Sequence, residues 1–177
     1  MQILAERYTV PPGHPLAMLS MGTDKGETRM ENYRHILLAL DFGPGHEQVV
    51  ARATKLAQAE HARFSLVHVV EFLHVDLANE LVLPQDVALE SQIMATARRK
   101  LARIASEIGS LESIGQWVEL GSTKQEILRI AEQEQVDLIV IGSHGRHGLG
   151  RLLGSTANAV LHGAPCDVLA VRVRPEP

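Results

Sequence analysis

A single cysteine, Cys166, stands in the whole chain, so no internal disulfide can form. A reducing compartment is the simplest setting for such a chain. No apolar run approaches the roughly 20 residues that span a bilayer. The N-terminus lacks a basic stretch followed by a long apolar one, which argues against a secretory signal. Charge of one sign is also missing: 17 Lys and Arg meet 21 Asp and Glu, a formal net of −4. That balance gives no general electrostatic basis for nucleic acid or an anionic membrane as a partner. The expectation is a cytoplasmic protein with no nucleic-acid or membrane partner.

Signatures of several chemistries are missing too. Gly142-Ser143-His144-Gly145 is not the G-x-S-x-G nucleophile elbow. No base and orienting acid can be assigned around Ser143, so no catalytic residue is expected. His144 and His147 lie three apart, and His162 follows later. A zinc site needs three or four ligands in fixed geometry, and no carboxylate or cysteine lies at convincing spacing. No metal site is expected. His68 reads as a packed histidine of a strand, Cys166 as a small buried hydrophobe, and Trp117 as a residue packed in or beside a strand.

What is present is a regular alternation. Residues 1–29 carry Pro11, Pro12, Pro15 and several glycines and read as a poorly ordered extension, or as an over-long start ahead of Met30. Residues 30–174 form the expected domain, and 175–177 a tail. His35–Asp41, Phe64–Val70, Trp117–Leu120, Val136–Gly142 and Asp167–Val173 read as five strands. Helices are expected over about His46–Ala59, from Leu89 to Ile108, from Thr123, and from Ser155 to about Gly163. Glu71–Val87 reads as irregular. Ser122 with Gln125, and Thr123 with Glu126, match a capping box. Strand–helix alternation with buried strands predicts an α/β fold, an open, doubly wound five-stranded parallel sheet with helices on both faces. The last strand is apolar and ends the domain, so it should form a sheet edge open to a second copy of the chain.

The stretch after the fourth strand is rich in glycine. Gly142, Gly145, Gly148 and Gly150 fall within nine residues, and Gly154 precedes Ser155 and Thr156. Glycine lets a ligand approach the backbone without steric cost, and a helix start favours phosphate through its free N–H groups and dipole. In open α/β sheets ligands sit beyond the carboxyl ends of the strands, where the strand order reverses. Asp41, Val69 and Gly142 all fall at such ends. Asp41 can accept hydrogen bonds from ribose hydroxyls, and the Val69 backbone can meet an adenine edge. Arg146 and Arg151 flank the loop as possible phosphate neighbours or as solvated residues. The same glycines serve equally well to shape a tight strand-to-helix connection.

The stretch from Tyr33 to Val173 resembles the universal stress protein family. "YRHILLALDFGPGHEQVVARATKLA" resembles the family's opening strand and helix, "FSLVHVVEF" its second strand, and "GSHGRHGLGRLLGSTANAVLHGAPCDVLAVR" its signature segment. The resemblance implies strand order 3-2-1-4-5 and a homodimer. Many members bind ATP through G-x2-G-x9-G-[ST]. Carried over by position, Asp41 would face the ribose and Val69 the adenine. Gly142, Gly145, Gly154, Ser155 and Thr156 would hold ribose and phosphates, with Mg2+ bridging the phosphates. Between Gly145 and Gly154 this chain has eight residues, Arg146 to Leu153, one fewer than the pattern. The expected function is an ATP-binding module of the stress response. The alternative is a nucleotide-independent dimer acting through unknown protein partners. An enzyme of a related adenine-nucleotide α-hydrolase type would carry a serine-rich loop after the first strand, which "DFGPGHEQ" lacks.

Overall fold

Five residues at the start of the described chain, His35–Ala39 (β1), are all buried, and they sit at the middle of the sheet. The computed structural model describes residues 32–71, 84–109, 111, 113–143 and 153–173, with the backbone alone at 84–88. These elements belong to the unit that runs from Tyr33 to Pro177. The expectation for residues 1–29 lies outside the described residues, as do the 175–177 tail, Gly145, Arg146 and Arg151.

After β1 come α1 (His46–Glu60), β2 (Arg63–Val70), α2 (Pro84–Ile108) and β3 (Ile114–Leu120). Then follow α3 (Thr123–Gln133), β4 (Leu138–Gly142), α4 (Ser155–Gly163) and β5 (Asp167–Val171). The strands form one sheet in the order β3-β2-β1-β4-β5, and every pairing is parallel. β1 and β4 are neighbours, with Ile36 opposite Leu138 and Ala39 opposite Ile141. Continuous apolar runs suit strands covered on both faces. Ile36, Leu38 and Leu40 pack against α1 and α2, while Leu37 and Ala39 pack against α3 and α4. Burying each such Leu or Ile contributes roughly 1.5–3 kcal/mol.

Several boundaries differ from the sequence reading, most of them for a local reason. β1 stops at Ala39 rather than Asp41, because the Asp41 carboxylate accepts the Gly43 N–H at 2.9 Å and bends the chain into a turn. Gly45, in the left-handed region at φ 79°, then caps α1. α2 begins at Pro84, within the stretch expected to be irregular. Proline suits a first helical position, where its φ is already set and its missing N–H would have had no partner. β3 begins at Ile114, three residues early, because Gly115 fits beneath the Trp117 ring and beside Ser65. β4 begins at Leu138, since Asp137 turns its carboxylate onto the Arg34 and His35 N–H groups at 2.9 and 3.0 Å. β5 ends at Val171 rather than Val173.

The capping box is not made. Ser122 is the N-cap of α3 but has no side-chain cap hydrogen bond. Glu126 instead accepts the Arg129 Nε at 2.7 Å, and Arg129 reaches Glu119 at 3.4 Å. The apolar stripe of α2 also divides. Leu101 and Ile104 are buried, but Leu89 and Ile93 are 56% and 44% exposed.

Candidate functional site

The chain leaves β1 for β2 and β3 on one side, then returns to β4 and β5 on the other. The connections from β1 and β4 therefore diverge, which leaves a crevice at the carboxyl ends of these strands. A cleft of about 1130 Å³ opens there. Asp41, Val69, Gly142, Gly154, Ser155 and Thr156 all line it. Six of the seven residues singled out in the sequence for binding thus come together, and the seventh, Gly145, lies outside the described residues.

Asp41 is exposed just past β1, and its Oδ1 accepts the Gly43 N–H. Val69 is buried near the end of β2, in register with Glu119. Gly142 ends β4 opposite Val171. The backbone beyond it stays tied to the sheet, because Ser143 N–H donates to the Val171 carbonyl at 2.8 Å. Gly154 N–H in turn donates to the Ser143 carbonyl at 2.8 Å. This bond pins the two ends of the glycine segment together. It also means that Gly154 uses its own N–H within the fold rather than offering it to a ligand.

The donors at the start of α4 come from the next residues. Gly154 is the N-cap, in extended backbone and with no side-chain cap. The first intrahelical bond is donated by Asn158 to the Gly154 carbonyl at 2.9 Å. The N–H groups of Ser155, Thr156 and Ala157 precede it, and together with the helix dipole they favour an anion. Asp41 supplies an acceptor for hydroxyls, and Val69 and Ile141 give the cleft an apolar wall. Donors, an acceptor and an apolar wall thus face one cleft.

Phe42 and His68 also line the cleft, and sequence reasoning did not assign them there. His68 Nδ1 donates to the Leu40 carbonyl at 2.7 Å, which agrees with a packed histidine. Its ring lies 4.0 Å from that of Phe42, centroid to centroid. Phe42 holds φ 55°. A bulky residue in the left-handed region costs roughly 1–3 kcal/mol and persists only where its surroundings hold it. Its place next to Asp41 was the only signal available in the sequence. Among the described residues no group of three His, Cys, Asp or Glu side chains is placed to hold a metal ion. His144 and His147 lie outside the described residues, and His162 is exposed on α4.

Residues 32–172 match the model of the universal stress protein family. The chain belongs to that family. A curated relative, universal stress protein A homolog 1 of Coxiella burnetii, is 41% identical over 140 residues, 79% of this chain and 96% of the relative. Its homolog 2 from the same organism is 42% identical over 146 residues, 82% of this chain and 99% of the relative. Among solved structures, the protein MJ0577 aligns with a TM-score of 0.72 at 26% identity, covering 82% of this chain and 99% of that one. The universal stress protein fold, with its 3-2-1-4-5 parallel sheet, is thus the fold of this chain.

Proposed function

We propose that this universal stress protein is a nucleotide-responsive binding module that takes an adenine nucleotide, ATP foremost, in the cleft between β1 and β4. One observation carries the reading: Asp41, Val69, Gly142 and the Gly154–Thr156 helix start, distant in sequence, line a single cleft. Asp41 accepts the ribose hydroxyls, the Val69 backbone meets the adenine edge, and the α4 start receives phosphate. Arg146 and Arg151 neutralise further phosphate charge. A Mg2+ ion accompanying the nucleotide would supply charge neutralisation at the phosphates and would need no dedicated protein cage. The protein binds rather than catalyses and is a cytoplasmic homodimer joined through β5. No described helix is long and apolar enough to cross a membrane.

A second reading, a nucleotide-independent dimer acting through protein partners, is favoured by the Gly154 N–H spent on Ser143 and by the eight-residue Arg146–Leu153 loop. Calorimetric titration with ATP and Mg2+ separates the two. Ser155→Ala removes one hydroxyl and little volume. Loss of a hydrogen bond to a charged phosphate costs about 1.5–3 kcal/mol, a weakening of roughly ten- to a hundredfold. Wild-type protein that ignores millimolar ATP would sink the nucleotide reading in favour of the second. Equal affinities of wild type and Ser155→Ala would move the phosphates away from α4.

A further inference from the structure

The α2 side of the cleft carries a tier of three side chains that the nucleotide assignment does not use. Lys100 is exposed, and its Nζ lies 5.6 Å from the centroid of the Phe42 ring. Phe42 in turn lies against His68 at 4.0 Å, with the rings tilted by 31°. His68 is 8% exposed and is fastened to the Leu40 carbonyl. The tier is thus anchored in the sheet and ends in an ammonium group. Phe42 holds an unfavourable φ of 55° within the tier, and the Asp41–Gly43 hydrogen bond spans that residue. Strain of this kind gathers at functional sites.

The charge pattern gives the tier a purpose. Asp41, Glu71 and Lys100 all line the cleft, and Lys100 is the only Lys or Arg among its described residues. Among the described residues no carboxylate forms an ion pair with Lys100. An aromatic face attracts a cation without neutralising it, so the ammonium keeps its charge and its donors for an incoming anion.

We propose that Lys100 reads the negative charge of the bound nucleotide from the α2 side, with Phe42 and His68 holding the ammonium in place. The assignment rests on the nucleotide reading above. It adds a second anion contact to the α4 start, because α2 and α4 pack on opposite faces of the sheet. The ligand class is a phosphorylated nucleoside whose charge is met from both sides, selected over the neutral nucleoside.

The test is calorimetric titration of AMP and of adenosine into wild type, Lys100→Met, Lys100→Arg and Ser155→Ala. Lys100→Met should weaken AMP about tenfold, the loss of one charged hydrogen bond, and leave adenosine unchanged. Lys100→Arg should retain AMP affinity, since guanidinium stacks on an aromatic face and keeps its charge. Rising salt should erode AMP binding more steeply in wild type than in Lys100→Met. Equal AMP affinity in wild type and Lys100→Met overturns the role of Lys100. An equal loss for AMP and adenosine overturns it too, since that pattern marks a packing role. If Ser155→Ala weakens AMP and Lys100→Met does not, the nucleotide reading stands and Lys100 alone falls. Wild type that binds neither ligand overturns the nucleotide reading, and Lys100 falls with it.

Discussion

His35 Nε2 lies 2.8 Å from the Ser65 hydroxyl oxygen, inside the sheet and shielded from solvent on neighbouring parallel strands. His35 Nδ1 lies 3.0 Å from the Glu134 carbonyl. A carbonyl only accepts, so Nδ1 carries the proton and, in the neutral ring, Nε2 accepts from the Ser65 hydroxyl. The pair ties β1 to β2 and to the α3–β4 connection, at the opposite end of the sheet from the cleft.

Burial, helped by the nearby Arg63, holds the His35 pKa below its ordinary 6.5. The unfolded chain therefore binds a proton more readily than the folded one. Stability should rise with pH from the depressed folded value up to 6.5 and should be fully present above it. On acidification the contribution of one such group falls by at most about 1.4 kcal/mol per pH unit. Urea denaturation between about pH 5 and about pH 8 should show this slope in wild type and a shallower one in His35→Gln. Parallel slopes for the two proteins would contradict the assignment.

Gly115 should not tolerate a methyl group. A Cβ there would lie 2.5 Å from the Trp117 ring and 2.6 Å from the Ser65 Oγ. Gly115→Ala should destabilise the domain by roughly 1–3 kcal/mol through overpacking. Trp117 is the only tryptophan of the chain, so its emission reports the same event directly. An unchanged unfolding midpoint together with unchanged emission would count against this packing.

Cys166 should be an unreactive thiol in the folded protein. Burial first, then the nearby Asp137 and Asp167, push its pKa up to about 12. The nucleophile is the thiolate, which is then scarce at neutral pH. An aromatic disulfide reagent at mildly alkaline pH should modify the native protein more than about tenfold more slowly than the urea-unfolded chain. Equal rates would show an accessible thiol.

Among the described residues β5 is an edge of the sheet, with β4 as its one partner. An apolar edge invites pairing with another chain, and a twofold axis would let two β5 strands pair with each other. Sedimentation should give a dimer for wild type. Ala170 is exposed on β5, and Ala170→Lys should bring like charges together and yield monomer. A variant that sediments as wild type does would remove β5 from the interface.

The central strands were legible because their apolar runs can be satisfied only by cover on both faces. Leu37, Leu38, Ile139 and Val140 are all fully buried. The cleft residues were legible for a related reason: Asp41, Val69 and Gly142 occur where apolar runs end, and parallel strands bring such ends to one side of a sheet. The Gly154–Thr156 helix start was legible from its glycine and hydroxyl residues. What Gly154 does with its N–H was not, because its partner Ser143 lies across the glycine segment.

Periodicity by itself determined which side of each helix is apolar, and the alternation of elements determined a parallel α/β sheet. It did not determine what each apolar side meets. Leu89 and Ile93 repeat in phase with Leu101 and Ile104, yet they line the cleft while the later pair lies in the core. Only the position of α2 against the sheet separates the two pairs. The box expected between Thr123 and Glu126 gives way to the Glu126–Arg129 pair, because Glu119 on β3 draws Arg129 towards the same carboxylate cluster. Lys100 meets Phe42 only through folding, since α2 and the turn after β1 are remote in sequence. Local pattern encodes the apolar and polar sides of an element, whereas the partner of each side depends on contacts between distant segments, which only the folded chain brings together.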